Sequence, residues 1–253
     1  MSPLAIAAIV FACSLCAGLI GMALHARLPD HHFDQDSKDV VQLVMGLIAT
    51  MSALVLGLLV ASAKSSYDTQ SSELQQISTN LVQLDRILEH FGPETKEARD
   101  LLYQSVSAGY ERIWPREAGQ RINLQLPINR APAEAFYAKI GSLAPKTDAQ
   151  RYLLTKALQL GAELQQTRVL MTEQMGSSVP WPFLAVLVFW IAVLFLGFGL
   201  FAPFNATVAA ALLVGALSVA AAIFLILELS DPYAGLMRLS DMPLRTALAE
   251  MAR

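Results

Sequence analysis

The chain has 253 residues, of which 55% are hydrophobic and 15% are charged, whereas about 25% are charged in a typical globular domain. Its net charge of −3 excludes the basic excess expected of a nucleic-acid-binding domain. No Asp, Glu, Lys or Arg occurs in residues 1–26, 40–63 or 174–227. These uncharged stretches exclude an ordinary soluble enzyme and a disordered chain, and they predict an integral membrane protein.

Four apolar segments are long enough to cross a bilayer as helices, which takes about 20 residues each. Two of them lie at residues 3–24 and 40–63. A longer stretch, residues 179–227, has room for two spans, and Pro203 and Asn205 divide it because both residues favour turns. The predicted fold class is an all-α membrane protein with transmembrane helices at about 3–24, 40–63, 181–201 and 206–227.

A charged region separates the second span from the third. Residues 64–178 hold 26 of the 39 charged side chains, which predicts a polar domain between residues 1–63 and residues 179–227, followed by a tail at 228–253. Four spans place both termini and this domain on one side of the membrane. That side also carries basic residues near the spans and in the tail, so the positive-inside rule predicts that it is the cytoplasm.

The polar domain has the periodicity of amphipathic helices. Apolar residues from Leu74 to Leu88 repeat at intervals of three and four, and nothing separates them from the second span, so one helix is predicted to run on until Gly92 and Pro93 end it. A second apolar stripe follows Asp148, which is expected to cap its helix. Both stripes fit packing within one subunit or between subunits, and packing within one subunit is favoured. Other predicted elements are helices at 93–113 and 132–140 and a loop at 115–131.

Two neighbouring faces of the second span differ in side-chain size. One face consists of small residues, namely Gly46, Thr50, Ala53, Gly57 and Ala61, and the adjacent face carries larger leucine and methionine side chains. Small residues let helices pack closely in lipid, which is one interpretation. The alternative is a pore helix, several copies of which surround an axis so that apolar side chains form a dewetting gate. The candidate pore-lining residues are Leu47, Thr50, Met51, Ala53, Leu54, Gly57 and Leu58.

The sequence offers little to catalysis or metal binding. It has no nucleotide-binding or hydrolase motif, and no carboxylate or histidine lies inside a span. Two groups of side chains could attract a cation, but neither has the spacing of an established metal site. No metal, no cofactor and no enzymatic activity are therefore expected. The two groups are the loop histidines His25, His31 and His32 and the acidic residues Glu228, Asp231 and Asp241.

Several segments resemble one group of bacterial membrane proteins. The sequence Asp231-Pro232-Tyr233, preceded by Glu228 and followed by Asp241-Met242-Pro243-Leu244, is similar to the segment after the last span of bacterial bestrophins. There an acidic residue precedes Asp-Pro-Phe, and Asp-Leu-Pro-Leu follows. Residues 46–57 and 61–68 and the triplet Leu84-Asp85-Arg86 resemble the bacterial bestrophin-like domain family. The resemblance covers nearly the whole chain, including the order of spans and polar domain.

This resemblance implies a pentameric ion channel, more often anion-selective, whose second span lines an apolar neck at residues 43–58. The chain lacks the proline- and phenylalanine-containing neck motif of bestrophins. It also lacks the dense acidic run of the calcium-gated animal members, so no calcium clasp is implied. The residues of the tail motif are Glu228, Asp231, Pro232, Tyr233, Asp241 and Pro243. Because Pro232 cannot continue the helix, the tail is expected to turn there, to pack on the polar domain and to contribute to the subunit interface. Arg238 and Arg245, on one helical face, could meet carboxylates of a neighbouring subunit or anionic headgroups, and simple positive-inside anchoring is the alternative.

Charged residues flank the candidate pore helix. In an oligomer Lys64 would form a cationic ring at the cytoplasmic mouth, and three aspartates, Asp34, Asp36 and Asp39, would form anionic rings at the far mouth. These rings oppose each other, and the resemblance favours anions.

The leading hypothesis is a homo-oligomeric, pentameric channel for chloride or other small anions. Its partners would be the lipid bilayer, further copies of the same chain and inorganic ions, with no nucleic acid. The runner-up is a non-conducting membrane scaffold whose cytoplasmic helices bind another protein. A membrane enzyme is a more distant alternative because the sequence offers no catalytic group.

Overall fold

The structure is a computed structural model that describes residues 2–25, 27, 35–114, 131–174, 181–203, 205–233 and 235–253. All regular secondary structure in these residues is helical, which confirms the predicted all-α class. Several predicted features lie outside the described residues: His31, His32, Asp34 and the loop at 115–130.

The described residues form eight α-helices and one short 3-10 helix at Pro93–Thr95. Four of them, α1, α2, α6 and α7, contain a segment long and apolar enough to cross a membrane, so the prediction of four spans is confirmed. The α-helices are α1 (Pro3–His25), α2 (Gln35–Phe91), α3 (Lys96–Ile113), α4 (Ala131–Gly141), α5 (Asp148–Gln174), α6 (Trp181–Phe201), α7 (Ala206–Leu229) and α8 (Met242–Met251).

The second span and the first helix of the polar region are one continuous element. Helix α2 has 57 residues, which confirms that it runs past the second span without a break. It ends at Phe91 because Gly92 adopts a φ of 133°, a conformation that glycine tolerates and other residues avoid. The amide Nε2 of Gln150 donates to the carbonyl oxygen of Phe91 at 2.9 Å and satisfies one of the free carbonyls at the helix end.

The chain divides into two compact units. One, called here the membrane unit, comprises Met1–Tyr67 and Ser178–Met237. The other, called the polar unit, comprises Asp68–Ser177 and Arg238–Arg253. The tail is therefore shared, because its first part belongs to the membrane unit and its last part to the polar unit.

In the membrane unit, α1 packs against α6 and α7. Glycines bring α1 and α6 close together, since a Cβ at Gly21 would overlap the carbonyl oxygen of Leu196 and a Cβ at Gly199 would overlap that of Gly18. Backbones approach this closely only where side chains are absent or very small. The surrounding core consists of Met22, Leu187, Ile191, Phe195, Leu212 and Ala216.

The turn between α6 and α7 follows the sequence prediction. Asn205 stands at the N-cap of α7 with an extended backbone, and its Oδ1 accepts a hydrogen bond from the backbone N–H of Val208 at 2.8 Å. Such a cap satisfies one of the free donors at a helix start. It fixes the start of the fourth span at Ala206.

The polar unit has a single core to which five helices contribute. Leu84 and Leu88 of α2 are almost completely buried, and the stripe on α5 contributes Ala157 and Leu160, so the favoured prediction that the stripes pack within one chain is confirmed. The full set of buried core residues is Leu81, Leu84, Leu88, Ala98, Leu102, Phe136, Ile140, Ala157, Leu160, Leu244 and Met251.

The predicted cap of α5 is wrong by one residue. Asp148 is the first residue of the helix, and its carboxylate pairs with Arg151 at 2.8 Å. The capping hydrogen bond instead runs from the backbone N–H of Gln150 to Oγ1 of Thr147, at 3.1 Å. Threonine is also among the preferred N-cap residues, and its bond leaves Asp148 available for an ion pair on the helix surface.

Candidate pore helix and tail motif

The candidate pore-lining residues are all exposed on the surface of the single chain. All seven, from Leu47 to Leu58, are exposed in the single chain, and Leu54 keeps 75% of its surface accessible. The one hydroxyl among them, on Thr50, donates to the carbonyl oxygen of Leu47 at 2.8 Å, so it is satisfied inside the helix. This surface of α2 is therefore uncharged and apolar in character, and its own chain does not cover it.

The two glycines on the small face of the second span make no close helix contact with the described part of the chain. A Cβ placed on Gly46 or on Gly57 would meet nothing within 4 Å. The close helix contact of the membrane unit lies elsewhere, between α1 and α6. Its sequence signal is the pair Gly18 and Gly21 together with Gly199, which lie outside the small-residue face of the second span.

The opposite face of the second span packs inside the membrane unit. Met45 and Ser52 are buried, and the thioether of Met45 lies against Gly197 of α6, where a Cβ would come within 2.5 Å of the sulfur. Leu56 and Leu59 pack against two of the apolar clusters. Helix α2 therefore has one face held by its own chain and a broad apolar face directed outward.

Lys64 follows the span on the same helix and is exposed. Its ammonium lies 5.5 Å from the ring centroid of Tyr67, within the range of a cation–π contact. This contact keeps the charge close to the end of the apolar segment.

The three acidic residues after the fourth span serve different contacts. Glu228 is 3% exposed, and its Oε2 accepts hydrogen bonds from the backbone N–H groups of Leu236 at 2.6 Å and Met237 at 3.3 Å. The carboxylate of Asp241 accepts from the hydroxyl of Tyr110 at 2.7 Å. Asp231 is exposed. In the part of the chain that the structure describes, no three His, Cys, Asp or Glu side chains come together as metal ligands.

The remaining residues of the tail motif shape the chain around these carboxylates. Pro232 and Tyr233 are buried. Pro243 lies in the first turn of α8, where proline is tolerated because the backbone N–H is not needed. Asp241 stands at the N-cap of that helix without a capping hydrogen bond from its side chain. Its bond to Tyr110 of α3, together with Leu244 in the core, confirms that the end of the tail packs on the polar helices.

The triplet Leu84-Asp85-Arg86 joins three helices of the polar unit. Leu84 is a core residue. Asp85 accepts two hydrogen bonds from Arg99 of α3, at 2.8 Å from Nε and 2.7 Å from Nη2, and these bonds raise the pKa of Arg99 above its ordinary value. Arg86 pairs with Glu250 of α8 at 3.4 Å. The triplet is therefore a structural element that ties α2 to α3 and α8.

Comparison with known proteins agrees with this architecture. The family model of the bestrophin-like domain matches residues 12–244, whereas no match emerges among curated proteins. Crystal structures of a bestrophin homolog from Klebsiella pneumoniae, each with a single substitution, share the fold. One has a TM-score of 0.68 at 14% identity and covers 99% of this chain and 97% of its own. Another has a TM-score of 0.67 at 13% identity and covers 96% of each chain. With the family model matching almost the entire sequence, the chain belongs to the bestrophin-like family.

Proposed function

We propose that the protein is a homo-oligomeric, pentameric ion channel of the bacterial inner membrane, and that it conducts chloride or other small anions. The observation that carries this proposal is the outward face of α2, where all seven candidate residues between Leu47 and Leu58 are uncharged and exposed in the single chain. Membership of the bestrophin-like family supports a channel of this type.

The mechanism is passive conduction without a catalytic group. Five copies of the second span would surround an axis, with Leu47, Leu54 and Leu58 narrowing the path. A constriction lined by such side chains gates by losing its water, and a smaller side chain lowers that barrier. Glycine and alanine on the adjacent face would let neighbouring copies of the helix approach each other.

The assembly has a direct test. Native mass measurement of the purified protein is expected to give five copies, and an image along the axis is expected to show a continuous hole. A monomer or dimer without a central hole would remove the channel proposal. We extend the interface to the tail, where Arg245 and Ala249 are exposed on α8 and are available to a neighbouring subunit.

The pore assignment is tested by Leu54→Ala in liposomes loaded with potassium chloride. We expect a severalfold rise in flux because the smaller side chain widens the constriction. Leu217→Ala on α7 is the matched control, since Leu217 is also an exposed leucine of a span, and it is expected to leave flux at the wild-type value. Flux at background for both the wild type and Leu54→Ala would contradict the assignment of this face of α2 to the pore.

Selectivity is tested by the reversal potential under a potassium chloride gradient. The span carries no charge between Val40 and Ala63, so selection must come from dehydration or from charges at the mouths, of which Lys64 is the cationic one. A wild-type reversal near the chloride equilibrium potential is expected, with a shift toward potassium in Lys64→Glu and a smaller shift in Lys64→Gln. A wild-type reversal near the potassium potential would overturn the anion assignment.

A second candidate function is a non-conducting scaffold that binds a partner protein through its polar unit. The observation that favours it is a set of exposed apolar side chains on α5, Tyr152, Leu158, Val169 and Leu170. Because a scaffold does not need a pore, it would leave flux at background in every variant.

A further inference from the structure

The backbone just after the fourth span is held in place by a buried carboxylate. Helix α7 ends at Leu229, and Glu228, in its last turn, directs Oε2 at the N–H groups of Leu236 and Met237. A charged acceptor strengthens such bonds and shortens them. The backbone at residues 236 and 237 is therefore fixed to the end of the span.

Gly235 makes this arrangement possible. Its φ of 85° lies in the region that favours glycine, and a Cβ there would overlap the carboxylate of Glu228. Pro232 and Tyr233 are buried on the preceding side. Since the segment is held on both sides of Gly235, its side chains cannot turn inward without breaking these contacts.

The side chains that follow point outward and are apolar. Leu236 is 82% exposed, the highest value for a large apolar side chain in the described part of the chain, and Met237 is also exposed. Single exposed leucines are common on protein surfaces. This one differs because a buried carboxylate and a positive-φ glycine hold it there. Arg238 comes next in the sequence and is exposed.

We propose that Leu236 and Met237 insert into the interfacial layer of the bilayer and that Arg238 contacts the phosphate of an anionic phospholipid. The position supports a lipid partner, because Leu236 lies seven residues after Leu229, where a membrane-spanning helix ends. The chemistry supports it as well, since two apolar side chains followed by a guanidinium match acyl chains beneath an anionic headgroup. Glu228 acts as the positioning residue. The inference requires only that α7 spans the membrane, so it stands or fails separately from ion conduction.

The experiment places an environment-sensitive NBD label on Leu236→Cys in the full-length protein. The two native cysteines, Cys13 and Cys16, are free and exposed, so both are first changed to alanine. The protein is reconstituted in vesicles of phosphatidylcholine and phosphatidylglycerol that carry a doxyl quencher near the headgroup, and iodide serves as the aqueous quencher. Ala149→Cys, at an exposed position of α5, is the matched control.

Insertion predicts that the doxyl lipid quenches the label at 236 at least about twofold more than the label at 149, as expected for a side chain below the headgroups. Iodide should show the opposite order. Two results would overturn the proposal. Quenching by neither reagent would mean that protein covers the segment, and iodide quenching equal to that of the control would mean that it lies in water. Because Glu228 is intact in this chain, a folding defect of a Glu228 variant cannot obscure the result.

Two further variants, each read through the label at 236, test the parts of the mechanism. Glu228→Ala is expected to lower doxyl quenching toward the control value, and unchanged quenching would reject its positioning role. Arg238→Gln is expected to remove the dependence of quenching on phosphatidylglycerol content. If quenching in the chain with Arg238 intact does not depend on that content, the headgroup contact is wrong.

Discussion

The second span and the other three spans are all apolar enough to cross a membrane, yet they differ in how far their own chain covers them. In the most apolar window of α1, α6 and α7, 33%, 33% and 28% of the residues are buried, whereas in α2 the share is 6%. Since all four are apolar, the difference arises from the choice of helix partners. Apolar composition places a helix in a membrane, but it does not determine whether lipid, its own chain or another copy covers that helix.

The largest effect is expected from a methyl group at the contact of α1 and α6. In Gly199→Ala the new Cβ would overlap the backbone carbonyl of Gly18, which cannot move independently of its helix. Overpacking that side chains can relieve costs about 1–3 kcal/mol. Because this overlap is with backbone, we expect a larger loss than from truncation of any single side chain, seen as a low yield and a strongly lowered midpoint in chemical denaturation. Gly46→Ala, where a Cβ meets nothing within 4 Å, should retain the wild-type midpoint or raise it slightly, because alanine favours the helix more than glycine does. Equal midpoints for the two variants would contradict the assigned contact.

A smaller contrast is expected between two leucines of different spans. Leu187 on α6 is completely buried, so Leu187→Ala should lower the free energy of unfolding by about 2–5 kcal/mol. Leu54→Ala should change it little, because Leu54 has no packing to lose within the chain. Both are measured by denaturation in the same detergent. A loss at Leu54 as large as that at Leu187 would show that its face is packed rather than open to a pore.

The smallest effect is expected at Gly57, where a methyl group should affect the stability of the single chain and the stability of the oligomer in opposite directions. Within one chain Gly57→Ala meets no obstacle and should gain up to about 1 kcal/mol from the higher helix propensity of alanine. If the small face contacts a neighbouring copy, the same methyl group should weaken the oligomer and raise the concentration at which subunits dissociate in native mass measurements. Gly109→Ala on α3, which also meets nothing within 4 Å, is the control. Identical dissociation of both variants would assign the small face to lipid.

Much of the fold could be predicted from local patterns. The four spans follow from uncharged runs of sufficient length, and the end of α2 follows from the dipeptide Gly92-Pro93. The glycine contact of α1 with α6 could not be predicted in this way. Gly46 and Gly57 form a similar small-residue pattern but contact no helix in the described residues, since the choice between such patterns depends on which helices meet.

The roles of the acidic residues in the tail motif and in the triplet are even harder to predict, because their partners lie far away in the sequence. Asp85 binds Arg99 across the turn at Gly92, and Asp241 binds Tyr110, which lies 131 residues earlier in the chain. The sequence places both acids in motifs and suggests a helix cap or a pair with Arg238 or Arg245 for Asp241, whereas its side chain makes no capping bond and accepts from Tyr110. Glu228 was grouped with the other acids as a weak cation site, whereas its carboxylate is occupied by backbone N–H groups.

The contact between Gly18 and Gly199 also has a consequence for biogenesis. The two glycines are separated by about 180 residues, and at a synthesis rate of about 5–20 residues per second the ribosome needs roughly ten to forty seconds to produce that length. During this interval α1 has already been made, but the helix that covers its glycine face has not. Until α6 is synthesised, the glycine face of the first span must therefore contact lipid or the insertion machinery. Premature pairing with another small-residue surface is the misfolding expected during this interval.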